Sequence, residues 1–305
     1  MVDNNKVDEF NQLAQQLGKS STTKEDSLQY KAAEKIYFKN NYAEASVALD
    51  KYIKMYPQGK YNALAQYYLA SYYQEKKYPQ SLEIYSSLLD NSENPNVEFS
   101  LQRASSIAYD MEKYEEAMKY FIKLDQVGSA ESKQPAKLGI LRCSYILKDY
   151  AKTIEVASDV IAAYSAYDEV VTEARYNRFK AYQSMSNIDA AYNDLVALSA
   201  DTRNVYGAEA KYELANYYYS KNELDKAEAE VFSYIEKGTP HQHYLAKSFV
   251  LLSDIYITKE NYFEAKQYLL SLKDNYVADD KEISSAIASR LELIANKESE
   301  TVSNQ

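Results

Sequence analysis

Over 305 residues the chain holds only 6 glycines and 5 prolines beside 46% hydrophobic and 26% charged residues, the composition of an all-α chain with short turns. A formal net charge of −10, with its cations scattered rather than grouped, disfavours nucleic acid, because phosphate contacts need clustered lysine and arginine. One cysteine excludes an internal disulfide, and no apolar run approaches the roughly 18 residues of a membrane span, so no membrane insertion by this chain is expected.

The chain opens on Met1-Val-Asp-Asn-Asn, with no charged-then-apolar signal region. Val7, Phe10, Leu13, Ala14 and Leu17 then fall on one helical stripe with no first helix before it. The stripe reads as the second helix of a preceding pair, hence as a remnant of a longer natural chain whose missing part would carry any signal sequence. The other reading is an N-terminal cap of the kind solenoids need. Residues 1–24 hold this helix and a small polar linker from Gly18 to Thr23, and Ser27 to Asn40 forms the next helix.

From there a two-helix unit repeats. Tyr42, Tyr78, Tyr114, Tyr150, Ile188, Leu224 and Tyr262 open the second helices at spacings of 36 or 38 residues. Three residues after each opening stand Ala45, Ser81, Ala117, Thr153, Ala191, Ala227 and Ala265, all small, which predicts close helix crossings. Four further on come Leu49, Tyr85, Phe121, Ala157, Leu195, Val231 and Leu269, and three beyond those Tyr52, Leu88, Leu124, Val160, Leu198, Tyr234 and Leu272, all apolar. The stretch from Gly207 to Ala227 shows the first helix most cleanly, with Ala210, Leu214, Ala215 and Tyr218 on one face. In the fifth pair Arg178 and Phe179 replace Leu214 and Ala215 of the sixth, so packing is expected to differ there. Pro57, Pro95 and Pro240 fall past second helices, and Pro79 and Pro135 near helix starts, where a missing N–H matters little. Seven pairs span residues 25–280 as one domain. Over residues 281–305, Ile283, Ala286, Ile287, Leu291 and Ile294 predict a capping helix, with Asn296 to Gln305 polar and expected to fray.

Two helices per unit, a small residue at the crossing, and an aromatic opening such as Tyr114-Glu-Glu-Ala117 or Tyr262-Phe-Glu-Ala265 resemble tetratricopeptide (TPR) repeats from about Ser27 to Asp279, although the period exceeds the usual 34 or so. The resemblance implies an all-α, right-handed superhelical solenoid of about seven TPR-like pairs. Tyr42-Ala-Glu-Ala, Lys54-Met-Tyr-Pro57 and Tyr68-Leu-Ala-Ser-Tyr-Tyr look like the bacterial envelope class, which includes BamD-like and Tol-Pal-associated TPR proteins. Lys137-Leu-Gly-Ile-Leu-Arg-Cys143, Gly207-Ala-Glu-Ala-Lys-Tyr212 and Gly238-Thr-Pro-His-Gln-His243 resemble the C-terminal part of large multi-repeat TPR proteins of Bacteroides-type bacteria. Periplasm or cell envelope is the location this resemblance implies.

No catalytic chemistry is expected along the chain. His241 and His243 form a lone His-x-His in a loop entered by Gly238-Thr-Pro240, short of a metal ligand set, and Cys143 reads as a small buried hydrophobe in a first helix. No phosphate loop, GxGxxG or HExxH occurs, so no cofactor or metal is expected. Tyrosine remains, 33 residues with no tryptophan. TPR first helices line the concave face, and on that reading Tyr30, Tyr37, Tyr67, Tyr109, Tyr145, Tyr176, Tyr212 and Tyr219, with Arg142 and Lys180, point into a protein-binding groove. The other reading is compositional, since Tyr218 and Tyr256 fill core positions. The expected function is a non-catalytic protein–protein interaction scaffold holding a protein or peptide segment. The alternative is glycan binding, disfavoured by the lack of tryptophan and the short loops.

Overall fold

The computed structural model describes residues 22–75, 79–90, 94, 96–164 and 169–303. Among them no strand occurs. The chain divides into two compact units, Met1–Asp149 and Tyr150–Gln305. In the first, α1 (Thr22–Tyr37) pairs with α2 (Tyr42–Met55), α3 (Asn62–Glu75) with α4 (Pro79–Leu89), and α5 (Val97–Asp110) with α6 (Tyr114–Val127), before α7 (Ala130–Ile146). The second starts with α8 (Tyr150–Ala163), followed by α9 (Glu169–Ser184) and a 3₁₀ turn (Ile188–Ala191) that runs into α10 (Tyr192–Leu198). Then α11 (Val205–Ser220) pairs with α12 (Leu224–Lys237), α13 (Gln242–Thr258) with α14 (Tyr262–Asn275), and α15 (Lys281–Ser303) follows. The five-residue stripe from Val7 to Leu17, the linker to Ser21, Tyr78 and Pro95 lie outside the described residues.

The crossing positions are as small as the packing demands. Ala45, Ser81, Ala117, Thr153, Ala191, Ala227 and Ala265 are all 0% exposed, so a larger side chain at any of them would hold the paired helices apart. Where the residue is polar its hydroxyl is matched: Ser81 Oγ donates to the Ala70 carbonyl at 2.8 Å. Within each unit, first helices of successive pairs also touch one another, α1 to α3, α5 to α7, α9 to α11, α11 to α13 and α13 to α15, so they line a common face.

The turns inside the pairs share a backbone device that no glycine advertises. Asn40, Glu112, Lys148, Ser186, Asn222 and Glu260 all have φ near +60° and all sit two residues before a second helix. At Glu112 the N–H donates to the Tyr109 carbonyl and the next N–H, of Lys113, reaches back to Ala108, both at 2.9 Å. The same two bonds recur at Lys148, Ser186, Asn222 and Glu260, which is the Schellman pattern that ends a helix on a left-handed residue. A side chain there works against sterics, and a β-branched one more so. Glu112→Gly is therefore expected to gain up to about 1 kcal/mol and Glu112→Val to lose about 1–2 kcal/mol. Urea unfolding of the two variants reads the order, and a valine variant as stable as the parent would refute it.

Three boundaries differ from the sequence expectation. Helix α1 starts at Thr22 rather than Ser27, with Glu25 in its first turn to favour the N-terminal dipole, and it ends at Tyr37 because Asn40 turns left-handed. Helix α15 runs unbroken to Ser303 rather than fraying from Asn296, and Lys266 Nζ meets Glu298 Oε2 at 3.0 Å to hold that stretch on α14. Pro135, expected near a helix start, is the sixth residue of α7, far enough in to remove the N–H that would bond the Glu131 carbonyl.

Candidate functional site

Among the described residues, clefts open on the first-helix face of each compact unit. In the first unit a cavity of about 450 Å³ lies between α5 and α7, with Phe121 and Leu124 of α6 between them. Gln102, Ser105, Ser106 and Tyr109 line it from α5, and Pro135, Gly139 and Arg142 from α7. Gly139 is needed for close approach: a Cβ there would lie 2.5 Å from the Phe121 ring. In the second unit a cavity of about 220 Å³ lies among α11, α13 and α15. Tyr212, Asn216 and Tyr219 line it from α11. Arg290 grips Asp254 through Nε at 2.9 Å and Nη2 at 2.8 Å, and the Lys247 ammonium sits 4.9 Å from the Tyr212 ring centroid. Burial, and then the negative fields of Glu213 and Glu282, push the Tyr212 hydroxyl up to about 12.

Four of the ten groove residues read from the sequence thus line clefts: Tyr109 and Arg142 in one, Tyr212 and Tyr219 in the other. Tyr37, Tyr67 and Tyr145 are half-buried. Tyr37 packs on Tyr42 and Tyr68 at centroid distances of 5.1 and 4.6 Å, and Tyr67 packs on Phe99 at 5.0 Å.

Tyr30 is not a groove residue. It is 2% exposed, stacks on Tyr61 at 4.5 Å, and donates its hydroxyl to Glu34 at 2.6 Å, because the segment leading into α3 folds over that side of α1. Lys180 and Tyr176 have their polar ends committed within the protein. Lys180 Nζ holds Glu209 Oε1 at 2.9 Å, while the hydroxyls of Tyr176 and Tyr244 donate to Oε2 at 2.8 and 2.9 Å. Burial pushes the Glu209 carboxyl up, and these three bonds outweigh it and hold the group below its ordinary value. Lys180 therefore does not offer its charge to an acidic ligand.

Much of the tyrosine has the same internal use. Tyr52 donates to Asp26, Tyr120 to Glu116, Tyr256 to Glu228 and Tyr276 to Asp280, each joining a buried or half-buried ring to a carboxylate on a neighbouring turn or helix. A tyrosine body suits an interhelical seam, and its hydroxyl finds a partner at the edge.

The remaining reactive side chains have structural roles. Cys143 is fully buried, and burial pushes its thiol up to about 11. His241 precedes α13 and its Nε2 lies 3.1 Å from the Arg203 carbonyl. His243 stands in the first turn of α13 rather than in the loop, with Nδ1 2.8 Å from Asp280 Oδ2, and this bond first of all keeps the Asp280 carboxyl below its ordinary value. No helix among the described residues is long and apolar enough to cross a membrane. The features sequence reading missed are Ser106, Pro135 and Gly139 as cleft walls and Glu209 as the hub of a tyrosine network. Proline and glycine four apart inside one helix were the available signal.

No family model matches the chain, and no curated protein matches it. A tetratricopeptide repeat protein from Parabacteroides merdae is similar over 87% of this chain and 98% of its own, at 14% identity and a TM-score of 0.44. Naa15/Naa10 bound to HypK-THB is similar over 88% of this chain and 39% of its own, at 12% identity and a TM-score of 0.50. Yeast Tom70 is similar over 96% of this chain and 58% of its own, at 12% identity and a TM-score of 0.47. The helix pairs, each closed on a small crossing residue, make the chain an all-α repeat solenoid of TPR-like pairs, and its likeness to the Naa15/Naa10 structure is one of fold alone.

Proposed function

We propose that this chain is a non-catalytic interaction scaffold whose first-helix face holds a segment of a partner protein. The observation that carries the reading is the pair of clefts between successive first helices, each presenting tyrosine: Tyr109 in one, Tyr212 and Tyr219 in the other. Tyrosine offers large contact area for little lost rotamer freedom, and its hydroxyl can bond a peptide backbone. The groups that catalysis would need are spent elsewhere, with Cys143 buried, the histidines tied to a carbonyl and a carboxylate, and Glu209 held by three donors. The structurally similar Naa15/Naa10 is itself bound to HypK-THB. A bacterial envelope location rests on the resemblance of Tyr42-Ala-Glu-Ala and Lys54-Met-Tyr-Pro57 to TPR proteins of that compartment.

The test is affinity capture from a bacterial envelope fraction, comparing the parent with a Tyr109→Ala, Tyr212→Ala, Tyr219→Ala variant. Loss of a contact tyrosine weakens binding by about tenfold, so proteins held by the parent should drop out while helical circular dichroism is kept. Unchanged protein capture, or retention of glycan in place of protein, would overturn the proposal.

A further inference from the structure

Equivalent positions of α3, α5 and α7 lie 36 residues apart, and among the differences between the two inter-helix spaces they frame, one pair of positions separates a filled space from an open one. On α5 that pair is Phe99 and Arg103. The Phe99 ring packs on Tyr67 of α3 at 5.0 Å, and the Arg103 guanidinium lies 4.6 Å from the Phe99 centroid, so large side chains occupy the α3–α5 space. On α7 the equivalents are Pro135 and Gly139, and there the cleft of about 450 Å³ stands open. Both residues are among the poorest helix formers, and both sit inside a 17-residue helix. Gly139 also brings the Phe121 ring against α7, which gives the cleft an aromatic wall. The cleft is therefore built by substitution within the repeat pattern, and its apolar wall of Phe121, Leu124 and Pro135 suits one large apolar side chain.

Arg103 supplies the second half of a recognition pattern. Arg175 and Arg178 pair with Asp194, Arg203 with Asp201 and Arg290 with Asp254. Arg103 has no carboxylate partner among the described residues, in a chain whose net charge is −10. A guanidinium lying on an aromatic face keeps its edge donors for an anion. Neighbouring packed helices are roughly 10 Å apart, and an extended chain advances about 3.3 Å per residue. A segment crossing from the α3–α5 space to the α5–α7 cleft thus spans about three residues.

Resting on the scaffold reading above, we infer that the first compact unit recognises a partner peptide carrying an aspartate or glutamate about three residues from a large apolar residue, the carboxylate pairing with Arg103 and the apolar side chain entering the cleft. The probe is a displayed library of random dodecapeptides selected on the immobilised full chain, followed by a synthetic peptide of the leading sequence. Enriched sequences should carry the acid and the apolar residue at that spacing. Arg103→Gln, and separately Ser106→Trp, which fills the cleft from an exposed position, should each weaken the peptide about tenfold while Phe263→Ala, an exposed site on α14 of the other unit, leaves it unchanged. Replacing the acid of the peptide by its amide should weaken binding to the parent but not to Arg103→Gln. Peptides that ignore both substitutions and are lost on Tyr212→Ala would overturn this inference and leave the scaffold reading standing. A library that yields nothing above the empty support would overturn both.

Discussion

Gly207→Ala is expected to cost about 4 kcal/mol, through overpacking worth about 3 kcal/mol and a disturbed helix cap worth about 1 kcal/mol. A Cβ at Gly207 would lie 1.9 Å from the Asp201 carbonyl oxygen and 2.7 Å from that of Leu198. Both obstacles are backbone, so neither can rotate aside. The crowding comes from the fifth pair, whose second helix ends early: α10 has 7 residues where α12 and α14 have 14. The chain then doubles back over the start of α11, where Asn204 accepts from the Gly207 N–H at 2.9 Å and donates to the Asp201 carbonyl at 3.1 Å. Only a residue without a side chain fits beneath that turn. Gly238→Ala is the control, since its Cβ would meet nothing within 4 Å and only its positive φ of 68° resists, at about 1 kcal/mol. Urea unfolding followed by circular dichroism separates the two, and a Gly207→Ala variant within 1 kcal/mol or so of the parent would refute the steric account.

That turn marks the limit of what the repeat pattern revealed. Second-helix openings at Tyr42, Tyr114, Tyr150, Ile188, Leu224 and Tyr262 coincide with observed helix starts, because a crossing that tolerates only a small residue writes itself into every copy. The left-handed turn residues were mostly invisible, since only Asn40 and Asn222 are of a type that favours that region, while the glutamates, lysine and serine at the other four turns carry no φ signature. Side-chain direction was half legible. Helical register places Tyr109 and Tyr212 correctly on the first-helix face, but register says nothing of what a neighbouring segment lays over that face. Tyr61 covers Tyr30, and Glu209 of the following first helix claims Lys180. Both contacts join residues about 30 positions apart, beyond the reach of any local pattern.

Where the repeat departs from its own pattern, the departure predicts the second large effect: Asp194→Ala is expected to cost about 3 kcal/mol, the low end for breaking a buried ion pair. Arg178 stands where the next pair has Leu214, and its guanidinium lies beside a side chain only 1% exposed. Asp194 Oδ2 accepts from Arg178 Nε at 2.7 Å, and Oδ1 accepts from Arg178 Nη2 at 2.8 Å and Arg175 Nη1 at 3.1 Å. Ser158 Oγ takes one more guanidinium donor at 2.8 Å. Thirty-six residues on, Lys211 and Glu230 repeat the Arg175–Asp194 pair, so that half of the cluster belongs to the repeat, and Arg178 is the addition. Removing Asp194 strands two cations that are 19% and 22% exposed, and their partial access to water sets the effect at the low end of the range. Arg178→Leu restores the residue of the sixth pair and leaves Asp194 matched by Arg175, so it should stay within about 1.5 kcal/mol of the parent. The order of the two variants in urea decides the matter. If Arg178→Leu proves the more damaging, the bidentate arginine is itself the keystone of α9 against α10, and the aspartate is only one of several groups that satisfy it.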